Sequence, residues 1–148
     1  MEHPVRIVEG RVILPAGIWG VLPDLHREIR GYDFYPSFED LARIPPLGAT
    51  ADVPDPARTL HIHYATPREQ YDWFVAELDP ISGRAFGWQR AGGPYGEWGH
   101  FILGDLESVV FPASRRARDG SQQGPQLVER DTDFRPTPAA LCLPASTL

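Results

Sequence analysis

Hydrophobic and polar residues alternate most cleanly between residues 60 and 101, and the rest of the chain is organised around this stretch. Leu60-His61-Ile62-His63-Tyr64 has the two-residue period of a strand. Leu60, Ile62 and Tyr64 share one face, and both histidines share the other. Residues 71–78 predict a second strand, with Tyr71, Trp73, Val75 and Glu77 on one face and Asp72, Phe74, Ala76 and Leu78 on the other. Bulk on both faces predicts a central strand covered on both sides. Asp79-Pro80-Ile81-Ser82-Gly83 reads as a turn. Residues 84–90 and 97–101 predict a third and a fourth strand. Between them, Ala91-Gly92-Gly93-Pro94-Tyr95-Gly96 reads as a hairpin loop with a bulge.

The flanks are shorter and more punctuated. Val5 to Val8 and Arg11 to Leu14 are β-branched runs separated by Glu9-Gly10, which predicts a hairpin ended by Pro15. Residues 22–29 predict a short helix with Leu25 and Ile29 on its apolar face, stopped by Gly31. Tyr32-Asp33-Phe34-Tyr35-Pro36 is an aromatic linker expected to lie over the core. Ser37 is placed to cap a helix over 38–44, with acidic Glu39 and Asp40 at the positive end of its dipole and Phe38, Leu41 and Ile44 on its apolar side. Pro45-Pro46 then forces an extended chain. Residues 103–110 predict a helix with Leu106 and Val110 four apart, 112–125 a polar arginine-rich loop, and 126–130 a last strand. Phe134 is expected to dock on the core, and residues 135–148 to run as an extended tail. The expected fold is α+β: one domain, an antiparallel sheet of four to five strands and two or three short helices. Its expected divisions are an N-terminal extension (1–36) packed on the domain, a core (37–138) and a tail (139–148).

Composition sharpens this picture. The 148 residues include 16 prolines and 14 glycines, which favour turns and extended segments over a helical bundle. No apolar run is long enough to span a bilayer, and MEHPVRIVEG lacks a charged leader followed by an apolar region. With a single cysteine no internal disulfide is possible, which fits a cytoplasmic location. The net charge is −6 and every basic residue is arginine. An acidic chain lacks the broad positive footprint of nucleic-acid binding, so nucleic acid is not the expected partner. Arg115, Arg116 and Arg118 form the only basic cluster, which reads as a solvated loop.

Several groups have the composition of chemical sites. His61 and His63 form an HxH on one strand face, and with His100 they are candidate metal ligands. The simpler reading leaves them solvated. Glu77 and Asp79, two apart on a strand, are a candidate acid/base pair. The simpler reading makes Asp79 a turn residue and pairs Glu77 with Arg84 or Arg130. Glu129-Arg130-Asp131 offers an arginine fork for an anion, or a clamp from Arg130 to Glu77 or Glu97. Trp73, Trp88, Tyr95 and Trp98 are candidate binding aromatics, although most aromatics in hairpins are core. The glycine string does not open a helix and lacks the Lys-Ser/Thr of a phosphate loop. Cys142 has no nucleophile signature around it. No cofactor is implied.

The ordered motifs Pro45-Pro46-Leu47, Thr66-Pro67, Glu77 with Asp79-Pro80, Gly83-Arg84-Ala85-Phe86-Gly87, Glu97-Trp98-Gly99-His100-Phe101, Glu129-Arg130-Asp131 and Phe134-Arg135-Pro136 span about residues 38–138. In this they resemble a family of uncharacterised bacterial proteins common on plasmids and other mobile elements, domain of unknown function 2958. The chain departs from that pattern at His100, where the family has tyrosine, and at Ile102, where a serine would cap the next helix. The resemblance implies a mobile-element setting and no activity. The expected function is a small non-catalytic binding or accessory protein that holds a protein partner on the aromatic and acidic face of the sheet. The alternatives are a hydrolase-type or metal-dependent enzyme using Glu77 and Asp79 with His61 or His63, and a nucleic-acid-binding accessory protein.

Overall fold

The longest strand is the middle of the molecule, and what covers its two faces defines the fold. The computed structural model describes residues 6–8, 11–13, 24–68, 71–112 and 124–144. The basic cluster at 115–118 lies outside the described residues. In chain order the elements are β1 (Arg6–Val8), β2 (Arg11–Ile13), α1 (Arg27–Arg30), α2 (Phe38–Arg43), a 3-10 turn (Asp55–Ala57), β3 (Thr59–Leu60), β4 (Ile62–Ala65) and β5 (Tyr71–Leu78). They continue with β6 (Arg84–Ala91), β7 (Glu97–Ile102), α3 (Leu103–Ser108), β8 (Val110–Phe111), β9 (Gln126–Leu127), β10 (Glu129–Arg130), β11 (Thr137–Pro138) and α4 (Ala139–Cys142). The fold is α+β as expected. Its main sheet is antiparallel and five-stranded, in the order β10-β4-β5-β6-β7. Four short helices accompany it among the described residues, against the two or three expected.

Each face of the sheet carries its own apolar cluster. On the first, Ile62, Tyr64, Val75, Leu78 and Ala85 pack against Phe34, Tyr35, Phe38, Leu41 and Leu103. On the second, Phe74, Ala76 and Trp88 pack against Leu60, Ala139 and Leu143. Burying a large apolar side chain contributes about 1.5–3 kcal/mol, so both clusters are integral to stability. The aromatic linker therefore lies over the core as expected, with Phe34 and Tyr35 each 1% exposed. Tyr64 also donates its hydroxyl to the Phe34 carbonyl at 3.0 Å. Phe134 docks on the second cluster, also as expected.

Local chemistry explains most boundaries. Ser37 Oγ accepts the Asp40 N–H at 3.2 Å and starts α2. Ile44 is extended before Pro45, which ends it. Gly31, at φ 78°, closes α1 with its N–H on the Arg27 carbonyl. β1 and β2 pair antiparallel, with Val8 opposite Arg11, while the Glu9-Gly10 turn expected between them lies outside the described residues.

Five expectations need correction. Leu60 does not share a face with Ile62 and Tyr64: the strand breaks at His61, and Leu60 joins the second cluster while the other two join the first. The α1 helix is one turn rather than residues 22–29, and Leu25 and Ile29 are 67% and 75% exposed rather than packed. What fixes this segment is polar: Glu107 on α3 accepts the Leu25 and His26 N–H groups and the Arg30 guanidinium. The second helix of the core ends at Ser108, and Val110 pairs in β8 instead of extending it. Ile102 gives α3 no side-chain cap. The tail is not extended throughout, because residues 139–142 form α4 and Ala139 donates its N–H to the Arg58 carbonyl at 2.9 Å. Finally, the pairing of β5 with β6 shifts register between Val75 and Glu77. This β-bulge turns Leu78 onto the first cluster with Val75 and reverses the face predicted for Glu77.

Candidate functional site: a cleft at the interrupted sheet edge

The residues singled out in the sequence do not converge. Glu77 accepts the Gly48 N–H at 2.7 Å, the Thr50 N–H at 2.8 Å and the Thr50 hydroxyl. Burial works to raise its carboxyl, but these bonds and nearby Arg58 outweigh it and hold the group below its usual value. Its partners are this loop rather than Arg84 or Arg130. Asp79 builds its own turn, accepting from the Ile81 N–H at 3.1 Å and the Ser82 hydroxyl at 2.7 Å. Each carboxylate is thus engaged in a separate local structure.

The histidines also part. His63 stacks on Phe74 at 4.2 Å, with one ring nitrogen 2.8 Å from Asp72 and the other 3.3 Å from Asp131. Arg90 closes the network by donating to Asp72 at 2.6 Å. For Asp72, burial is again opposed and outweighed by His63 and Arg90, and its carboxyl sits below the ordinary range. His100 is exposed on β7 beside the Phe86 ring, with β5 and β6 between it and the other two. Among the described residues, no three His, Cys, Asp or Glu side chains are grouped to hold a metal.

The candidate aromatics divide by burial. Trp88 is 0% exposed, which removes it from any surface role. Trp73 packs partly buried on the first cluster and Trp98 on the second. The Arg58 guanidinium lies 5.1 Å from both the Phe86 and Trp98 rings, covering the aromatic face expected to meet a partner. Tyr95, at the β6–β7 hairpin, is the exception, 78% exposed.

The site that does assemble is a cleft of about 470 Å³. It exists because the edge of the sheet is interrupted. Arg130 on β10 pairs opposite Tyr64, and Thr137 on β11 pairs opposite Leu60. Residues 131–136 leave the sheet between these pairings, and the gap opens over His61 and Ile62. The excursion is held by Asp131, whose Oδ1 accepts the Asp133 N–H at 3.1 Å and whose N–H reaches the His63 carbonyl. Asp40 and Arg43 of α2 form the facing wall.

His61 lies half-buried in this cleft, and burial lowers its pKa despite the opposing charge of Asp40. The ring is therefore neutral near pH 7. Arg130 donates Nε and Nη2 to the Asp33 carbonyl at 3.1 and 2.9 Å. Arg135, also lining the cleft, donates Nη1 to the Thr132 and Phe134 carbonyls, each at 3.0 Å. Neither guanidinium has a carboxylate within ion-pair distance among the described residues, so Arg130 forms neither clamp expected of it. By contrast, Asp33 lies 2.6 Å from Arg27, Asp40 is 3.3 Å from Arg43, and Asp131 is shared with His63. The cleft thus holds two oriented cations whose charges are not cancelled by a direct ion pair. Sequence reading found His61 and Arg130 but missed Arg43 and Arg135. The available signal for Arg135 was its place between Phe134 and Pro136, after a turn-forming Asp-Thr-Asp.

Fold and site together define an α+β protein with a doubly covered antiparallel sheet and a mixed-charge cleft at its edge. Comparison with protein-family models, curated proteins and solved structures finds no match. No helix among the described residues is long and apolar enough to cross a membrane.

Proposed function

We propose that the protein is a non-catalytic binding or accessory protein that acts by holding a protein partner in the sheet-edge cleft. The observation that carries this reading is the pair of guanidiniums, Arg130 and Arg135, anchored by carbonyls but with no carboxylate partner among the described residues. Such groups favour an acidic group supplied from outside. Catalysis is less well served. Among the described residues His61 has no hydrogen-bonding partner to orient its ring, and Glu77 and Asp79 are engaged elsewhere. The resemblance of residues 38–138 to a plasmid-borne family supports a bacterial mobile element as the setting. The test is a photo-crosslinking residue placed at Thr132 on the cleft wall, with Glu28 on exposed α1 as control, in the native cell. The expected result is a protein adduct at Thr132 that Arg135→Gln suppresses and Glu28 does not give. Adducts equal at both positions, adducts to nucleic acid, or none at Thr132 would overturn the proposal.

A further inference from the structure

We infer that the group recognised in the cleft is a single carboxylate carried beside an apolar side chain, as at the C-terminal residue of a polypeptide. This rests on the cleft being the partner site and names the chemistry of the partner. The first support is the donor inventory. Among the described residues Arg130 commits Nε and Nη2 to one carbonyl and leaves Nη1, while Arg135 commits Nη1 and leaves Nε and Nη2. The Nε and Nη2 pair of Arg135 is the edge of a guanidinium that meets a planar carboxylate with two parallel bonds. The carbonyls orient both cations without neutralising them, so little side-chain entropy remains to be lost on binding.

The second support is charge. Asp33, Asp40 and Asp131 also line the cleft, matching its three arginines in number. Arg43 engages Asp40, and Asp33 is engaged by Arg27 from outside the cleft, so Arg130 and Arg135 against Asp131 leave one net positive charge, which suits a monoanion better than a phosphate dianion. The third is the wall beside the cations. Phe134 is partly buried against Phe74 at 5.7 Å, and Pro36, Pro136 and Ile62 continue an apolar lining. An apolar side chain adjacent to the carboxylate fits there. Neutral His61 supplies one donor and one acceptor, which matches the amide N–H and carbonyl preceding a chain end. The volume, about 470 Å³, falls in the range of sites that enclose groups of this size.

The test uses wild-type protein and three probes: N-acetyl-phenylalanine, its C-terminal amide, and phenyl phosphate. Binding is read by NMR from the His61 ring and Arg135 side-chain signals. The expected result is that N-acetyl-phenylalanine shifts both, the amide shifts neither, and phenyl phosphate binds more weakly. Arg135→Gln should weaken the carboxylate about tenfold or more, and Arg135 is exposed enough to be replaced without loss of fold. The amide comparison needs no variant and decides the question alone. Equal binding of acid and amide, tighter binding of phenyl phosphate, or no shift with any probe would overturn the inference. If the Thr132 adduct persists while the carboxylate fails, the cleft remains a partner site and only its ligand chemistry is wrong.

Discussion

Replacing Glu107 with glutamine should cost the protein a large share of its stability while barely changing shape. Both the Glu107 and Arg30 side chains are 0% exposed, and the Oε2–Nη1 distance is 2.6 Å. The same carboxylate accepts two backbone N–H groups, from Leu25 at 2.8 Å and His26 at 3.0 Å. Glutamine keeps one acceptor oxygen, but its NH₂ faces donors, and the buried Arg30 cation is left with only the more distant Glu129 carboxylate, 3.9 Å from its Nε. Breaking a buried pair in this way costs about 3–5 kcal/mol, against a total of about 5–15 kcal/mol for a domain. Urea unfolding followed by tryptophan fluorescence should show the midpoint fall by about 2 M at a slope of about 2 kcal/mol per M. Arg30→Met should be similarly costly, since it also abandons the Val128 and Glu107 carbonyls. The double variant should recover roughly 1–3 kcal/mol relative to the sum of the two. A loss below about 1 kcal/mol in Glu107→Gln, or strict additivity of the pair, would refute the view that this ion pair anchors the N-terminal segment.

Glu77→Gln should flatten the acid limb of stability. The folded Glu77 carboxyl lies below its unfolded value, so its contribution is complete above the ordinary carboxylate range and is lost as pH falls through the folded pKa. A variant whose Tm falls as steeply in acid as the wild type would count against it. Asp24→Asn should act in the opposite sense. Burial raises the Asp24 carboxyl, so ionisation works against folding as pH rises from the unfolded value through the folded one. The variant should melt above the wild type at pH 7 with the gap closing below pH 4, and a lower Tm at pH 7 would refute this. Gly96→Ala should cost about 1–3 kcal/mol, because a Cβ there would lie 2.1 Å from the Trp88 ring. Gly93→Ala, with nothing within 4 Å, is the matched control, and equal urea midpoints for the two would sink the argument.

What could be read from the sequence was whatever neighbouring residues decide among themselves. The Ser37 cap, the Gly31 stop and the Asp79 turn are all short-range chemistry, and all are found, whereas the alternation expected from Leu60 to Tyr64 breaks at His61 and holds only from Ile62 onward. The bulge in β5 is different, because it depends on the strand opposite. Gly87 faces Val75 across the ladder, and a Cβ on it would meet the Phe74 carbonyl at 1.7 Å. A glycine inside a strand was a legible hint of such an approach, but not of which residue would change face. Leu25 and Ile29 mislead because one helical turn is oriented by the Glu107 carboxylate, eighty residues away in sequence, rather than by its own apolar spacing. The prolines near the tail point equally to extended chain and to the start of a helix. Here Pro138 stands at the N-cap of Ala139-Ala140-Leu141-Cys142, a run with good helix formers. The cleft was least legible, since α2, the β4 edge and the 131–136 excursion meet only once the sheet exists.

The order in which the sheet is sewn has a consequence during synthesis. The β5–β6–β7 meander joins neighbours in sequence and can pair as it leaves the ribosome. The outer side of β4 must wait for Glu129 and Arg130, and β3 for Thr137 and Pro138. Until those residues emerge, the nascent chain presents an uncovered strand edge beside Phe74 and Trp88, the sort of template that invites wrong pairing. A chain arrested before residue 129 is therefore a natural client for a chaperone, and its vulnerable border is the one that the finished protein turns into its cleft.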